Sequence, residues 1–332
     1  MIVRIIGLFE PLVLALVGTV LLASLLPAHG AFVPVMDGFA DAGIALLFFL
    51  HGAKLSREAI REGARNWKVH IAALATTFLL FPLFGLAFTA VPLGLGPLAA
   101  GLLFLTLLPS TVQSSIAFTA VARGNVAAAV CSASFSNLLG IFVTPLLVAL
   151  LMSGVAGQGG ISWGTLESIV LQLLVPFFAG HLLRPVIGSF VARHKSLLSY
   201  VDRGSILLVI YSSFGAAVRE GLWHRVSPMA LLVVALLCCL LLALVLLATR
   251  AMGQVLGLAR EDLVVLQFCG SKKSLASGVP MAGVLFPAAQ VGLVILPLMV
   301  FHQIQLIVCA FLARRYANES RATYGEPARA EA

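Results

Sequence analysis

The chain has 332 residues, 61% of them hydrophobic and only 10% charged, and a mean hydropathy of +1.08. A soluble domain carries about a quarter charged residues, so the composition excludes a soluble enzyme or a nucleic-acid-binding domain. The net charge of +8 is then a mark of membrane orientation rather than of affinity for polyanions.

Apolar runs of about 20 residues, the length that crosses a hydrocarbon core of roughly 30 Å, predict ten spans. They fall at 9–27, 32–53, 69–92, 97–122, 125–153, 165–187, 203–219, 227–249, 262–286 and 288–313. The first run follows Arg4 in the manner of a signal peptide, but it has the length of a full span and is read as a retained helix. Asp37 and Asp41, four residues apart at the outer end of span two, suit capping and dipole stabilisation of a helix N-terminus. The longest connection, KLSREAIREGARNWK, sets Arg57, Arg61 and Arg65 along one helical face and predicts a surface helix against lipid headgroups. The polar stretch from Asn318 reads as a disordered tail. Cys131, Cys238, Cys239, Cys269 and Cys309 all lie within apolar runs without metal-ligand spacing and read as packing residues.

Sorting Lys and Arg by alternate sides of the predicted spans places 17 of the 21 on one face, with Arg219 and Arg225 on the other. This asymmetry predicts an even number of spans in the inner membrane with both termini cytoplasmic. Five spans in residues 1–160 and five in 161–316, leaving 317–332 as the tail, make the second half enter from the opposite side, which is inverted-repeat geometry. In span four Pro109 precedes Ser110, Thr111, Gln113, Ser114 and Ser115; in span nine Gly270 precedes Ser271, Lys272, Lys273 and Ser274. Proline removes an amide hydrogen and glycine tolerates open backbone, so both spans are candidates for interruption around a cavity. Paired interruptions in inverted halves point to the binding site of a secondary transporter. Hydroxyls that merely bond their own helix or glue neighbouring ones are the plainer reading of span four. The two lysines, about ten residues from either end of span nine, need water, a partner or a ligand.

These residues resemble the bile acid:sodium symporter superfamily, specifically its SBF-like bacterial branch, related to the solute carrier family 10 transporters. FCGSKKSLASGVPMA (268–282) carries the resemblance most specifically, supported by LLPSTVQSSIAFTAVARGNVAAAVCSASFSN (107–137) and FFLHGAKLS (48–56). The resemblance implies an all-α membrane protein of ten transmembrane helices in two inverted five-helix repeats. Spans 1, 2, 6 and 7 would form a panel domain, and spans 3–5 and 8–10 a core in which discontinuous spans 4 and 9 cross. Sodium-binding members of the family use polar residues that fall on Ser114 and Ser115, and span-five positions that fall near Ala129 and Ala133, with Ser132, Ser134 and Ser136 close by. This implies a possible sodium site near Ser114, Ser115 and Ser132. The positions of a family Glu and Gln in span nine hold Phe268 and Lys272 here, and an ammonium there would take the electrostatic place of a bound cation.

Two roles for the lysines stay open: a charged lysine that attracts an anionic substrate together with half-helix N-termini, or a lysine that exchanges a proton during transport. His302 and Gln303 in the FHQIQ segment of span ten, and Asn137 after Ser136 on span five, are candidates for the cavity wall. His51 reads as an interfacial histidine. The function expected is symport-like, alternating-access transport of a small organic anion or bile-acid-like amphipath across the lipid bilayer, coupled to sodium or protons. No cofactor is expected beyond Na+ as coupling ion, and no nucleic-acid partner. A membrane-embedded lipid- or isoprenoid-processing enzyme would need paired carboxylates or a nucleophile with its base, which the sequence does not offer. A non-transporting regulator built on the same fold is the remaining alternative.

Overall fold

The computed structural model describes residues 11–54, 66–92, 94–152 and 167–324. The described residues are all helical or connecting segments, with no sheet among them. Helix α1 is Pro11–Leu25 and α2 is Phe32–Lys54. Helix α3, Trp67–Ala75, passes through a π turn at Thr76–Leu80 into α4, Phe81–Ala90. Helices α5, Leu98–Leu107, and α6, Gln113–Val121, are separated by five non-helical residues and lead to α7, Val126–Leu151. A second π turn, Val170–Leu174, opens α8, Val175–Arg193; α9 is Lys195–Arg219 and α10 the short Leu222–Arg225. Helix α11 is Pro228–Val255, α12 Arg260–Gly270, α13 Leu275–Leu285 and α14 Ala288–Tyr324. Among the described residues, seven helical stretches are long and apolar enough to cross a membrane, and the protein is an all-α, multi-pass membrane protein.

The outward faces confirm the solvent. On α11, Leu232, Leu236, Leu240 and Leu247 are exposed along one face, while Val234, Cys238, Leu241 and Val245 are buried on the other. A helix apolar on both faces is stable only with lipid on one of them. Two packing groups stand out. Helix α2 packs along α8 and α9, with α1 against α9, whereas α3, α6, α7 and α12 pack on one another. Small residues let α2 and α8 touch backbone to backbone: a Cβ on Gly52 would lie 2.0 Å from the Phe177 carbonyl oxygen, and one on Gly180 would lie 2.0 Å from that of Phe49. This is the small-residue packing by which helices associate without a hydrophobic driving force.

Both π turns have one cause. Proline at the second position of α4 and of α8, Pro82 and Pro176, follows each turn. A proline ring collides with the carbonyl four residues back, and widening the helix by one residue relieves the collision.

Several sequence expectations are corrected. Helix α2 begins at Phe32, so Asp37 and Asp41 lie inside it and cap nothing; Asp37 instead accepts a hydrogen bond from Ser212 Oγ. Helix α9 begins at Lys195, eight residues before the predicted span, because Lys195, Asp202 and Arg203 interrupt the apolar run at its start. The stretch from Asn318 is helical as far as Tyr324: Arg315 and Glu319 pair one turn apart, and the segment is built from good helix formers. Cys239 is exposed, whereas the other four cysteines are buried as expected. The predicted surface helix over Arg57, Arg61 and Arg65 lies outside the described residues.

Candidate functional site

The non-helical segments Leu108–Val112 and Ser271–Ser274 meet within the protein. The Ser274 amide donates to the Pro109 carbonyl at 2.8 Å. Buried backbone polar groups in a membrane protein need partners, and the first segment finds them on α7. The Ser110 amide donates to Ser136 Oγ at 2.9 Å, Asn137 Nδ2 donates to the Ser110 carbonyl at 2.7 Å, and Thr144 Oγ1 donates to the Leu107 carbonyl at 2.8 Å. Asn137 also accepts from Ser277 Oγ at 2.8 Å, which ties the start of α13 to α7. Gly140 makes the approach possible, since a Cβ there would lie 2.7 Å from the ring of Pro109.

The adjacent lysines diverge. Lys273 is fully buried, and its Nζ donates to the carbonyls of Thr77, Thr106 and Leu108 at 2.8, 2.8 and 2.7 Å. Its own amide and carbonyl are held by the side-chain amide of Gln305, at 2.9 and 3.0 Å. Lys272 is equally buried, with its Nζ 4.0 Å from the centroid of Phe118 and 5.3 Å from that of Phe268, cation–π distances.

A cavity of about 300 Å³ lies between the two packing groups. Its lining includes Thr111 of the first break, Gln113 and Ser114 at the first turn of α6, Ser274 and Ser277 at the start of α13, and Asn137 and His302. It also includes the apolar Leu47, Phe48, Phe177 and Met281, and His51, Lys54, Asp202 and Arg203 on α2 and α9. Lys54 and Asp202 form an ion pair between α2 and α9. First turns of helices present free amide hydrogens and a partial positive charge, and α6 has no side chain capping it.

Of the residues singled out from sequence, Thr111, Gln113, Ser114, Asn137, Ser274 and His302 border this cavity; Ser110, Ser115, Ser132, Ser136, Ser271, Lys272, Lys273 and Gln303 do not. Ser114 and Ser115 both meet Thr111 Oγ1, at 2.9 and 3.1 Å, and Ser115 also donates to the Phe268 carbonyl at 3.0 Å. The Ser132 hydroxyl is turned to His70 Nδ1 on α3, 2.6 Å away, and Ser271 bonds the Gln267 carbonyl. Gln305 was missed, although it is the second glutamine of the FHQIQ segment; it clasps Lys273 and lies 2.9 Å from His302 Nδ1. His51, read as interfacial, stands on the cavity wall with its Nδ1 3.0 Å from the Leu47 carbonyl.

Two interrupted helix pairs joined at their breaks, beside a cavity between two helical groups, define a secondary transporter of small solutes. The chain belongs to the SBF-like CPA transporter family, which matches residues 10–318. It is 56% identical over 307 residues to the uncharacterized protein PA2026 of Pseudomonas aeruginosa, covering 92% of each chain. It is 52% identical over 313 residues to the putative symporter YfeH of Escherichia coli, covering 94% of each. It is also 26% identical over 275 residues to sodium/bile acid cotransporter 7 of Xenopus tropicalis, across 81% of this chain and 79% of that one. Membership of this family makes the protein a multi-pass inner-membrane transporter, not an enzyme.

Proposed function

We propose that the protein moves a small organic anion or bile-acid-like amphipath by alternating access, as a symporter coupled to sodium or protons. The observation that carries this reading is the mixed polar and apolar lining of the cavity. Its apolar lining suits a hydrophobic body, and the first turn of α6, which no side chain caps, suits an anionic group. The architecture we propose has ten spans in two inverted five-helix repeats, with α5–α6 and α12–α13 as the interrupted fourth and ninth. Spans 1, 2, 6 and 7 form the panel and the others the core, and the cavity lies on the plane where the two would slide. With both termini cytoplasmic, Lys54 at the end of α2 and Asp202 and Arg203 near the start of α9 lie toward the cytoplasm. The site residues proposed for substrate contact are the six from sequence that border the cavity, with His51 added.

The test is uptake into proteoliposomes of labelled carboxylate and sulfonate amphipaths and of their neutral analogues, under imposed sodium or proton gradients. Gradient-dependent accumulation of an anion, with thermal stabilisation of the purified protein by the same compound, is the expected result. Transport of the neutral analogues alone would overturn the anion reading.

A further inference from the structure

Three carbonyl oxygens converge on Lys273 Nζ at 2.7–2.8 Å, and each lacks its ordinary helical donor for a visible reason. In the π turn, the Phe81 amide donates to the Thr76 carbonyl. The next donor in that register is Pro82, which has no N–H, so the Thr77 carbonyl is left over. The amide four residues after Thr106 is that of Ser110, which donates to Ser136 Oγ instead. Leu108 stands just past the end of α5, where carbonyls have no helical partner. A carbonyl only accepts, and a neutral amine has two hydrogens to give; three bonds require the ammonium with its three. The face of Phe81, with its centroid 4.1 Å from Nζ, adds a fourth electron-rich surface.

We propose that the Thr77, Thr106 and Leu108 carbonyls form a monovalent-cation site whose resident ion is the Lys273 ammonium. Oxygens of two segments, that of Thr77 in the π turn and those of Thr106 and Leu108 at the negative end of the α5 dipole, are the ligand set that hard monovalent cations select. Here the cation is part of the chain, reaching from the second break to the first and to the π turn, and Gln305 fixes the backbone from which it projects. The cage is therefore closed to ions in solution, and a coupling ion has to bind elsewhere, with the cavity wall the available place. The inference concerns the helix crossing and stands whether or not the substrate is an anion.

The experiment removes the tether and offers the ion. Lys273→Ala is purified in detergent, and its thermal stability is measured in ammonium, methylammonium, sodium and tetramethylammonium chlorides at equal ionic strength, beside the unsubstituted protein. The expected result is a lowered midpoint in tetramethylammonium that rises saturably in ammonium or another small cation, by more than the unsubstituted protein's own response to the same salt. If Lys273→Ala survives purification only in a small-cation salt, that recovery supports the proposal equally. Lys273→Gln, which offers an amide without charge, is the second variant and is expected to fall below the unsubstituted protein in every salt. Equal stability of Lys273→Gln and the unsubstituted protein, or no small-cation selectivity in Lys273→Ala, would overturn the proposal; so would failure of Lys273→Ala to fold in any of the four salts.

Discussion

Ser274 donates its amide to the carbonyl of Pro109 across 2.8 Å, so that each interrupted helix satisfies part of the other's open backbone. The two breaks are one structural unit, and Asn137 extends it to α7 by holding the Ser110 carbonyl with one atom and Ser277 Oγ with another. Removing such a bridge leaves buried partners unsatisfied at about 1–3 kcal/mol. Asn137→Ala is therefore expected to lose stability on this scale and to lose transport along with it. Asn137→Asp, which keeps the acceptor but not the donor to Ser110, is expected to fall between the two. Thermal unfolding in detergent with parallel uptake measures both.

The clasp of Gln305 on Lys273 supplies both a donor and an acceptor. Gln305→Leu removes both, and a fall of about 1–3 kcal/mol in stability is expected. Gln305→Glu keeps an acceptor for the Lys273 amide and should be the milder change. A larger loss for Glu than for Leu would show that the clasp is not held by these bonds.

Gly52 and Gly180 meet carbonyls of the opposite helix at a separation that admits no side chain. Replacing either by Ala forces α2 and α8 apart, with an expected cost of about 1–3 kcal/mol, the cost of an overpacked contact. The control is Gly18, where a Cβ would have nothing within 4 Å, and Gly18→Ala should leave the unfolding midpoint nearly unchanged.

The proposed orientation sets an access direction. In a background with exposed Cys239 replaced by Ser, Ser114→Cys and Ser134→Cys place thiols on the cavity wall. Both are expected to react with a membrane-impermeant maleimide applied from the cytoplasmic face and to be protected from the opposite face. Labelling from the outer side alone would reverse the proposed orientation.

Asp202 is the single carboxylate on the described cavity wall, and it pairs with Lys54. Asp202→Asn leaves the cations Lys54 and Arg203 without that competitor, so tighter binding of an anionic amphipath is expected, by several-fold and most clearly at low salt. Unchanged or weaker affinity in equilibrium binding would show that the Lys54–Asp202 pair does not set the charge felt by the anion.

Both interruptions were legible at Pro109 and Gly270, because the loss of a donor or of a side chain is a local property. The divergence of Lys272 and Lys273 was not. Helical periodicity assigns faces only where the backbone is periodic, and Ser271–Ser274 is not. Gln303 drew attention beside His302, but Gln305 carries the contact with Lys273, since the rotation of α14 depends on tertiary packing. Lys54 and Arg203 were counted as markers of orientation, and the same charges also line the cavity. Asp202 carries no local signal in the sequence, because its place on the cavity wall depends on how α9 packs against α2.

The defect that Pro82 writes into α3–α4 carries a lesson about optimisation. An alanine at that position would restore an N–H to the π turn and let the helix satisfy Thr77 by itself, a change that any propensity scale scores as an improvement. It would also set up an internal rival for the oxygen that Lys273 now reaches from nearly 200 residues away in the chain. A more regular helix would thus be a less informative one: the missing hydrogen acts as an address, telling a remote part of the polypeptide where to dock.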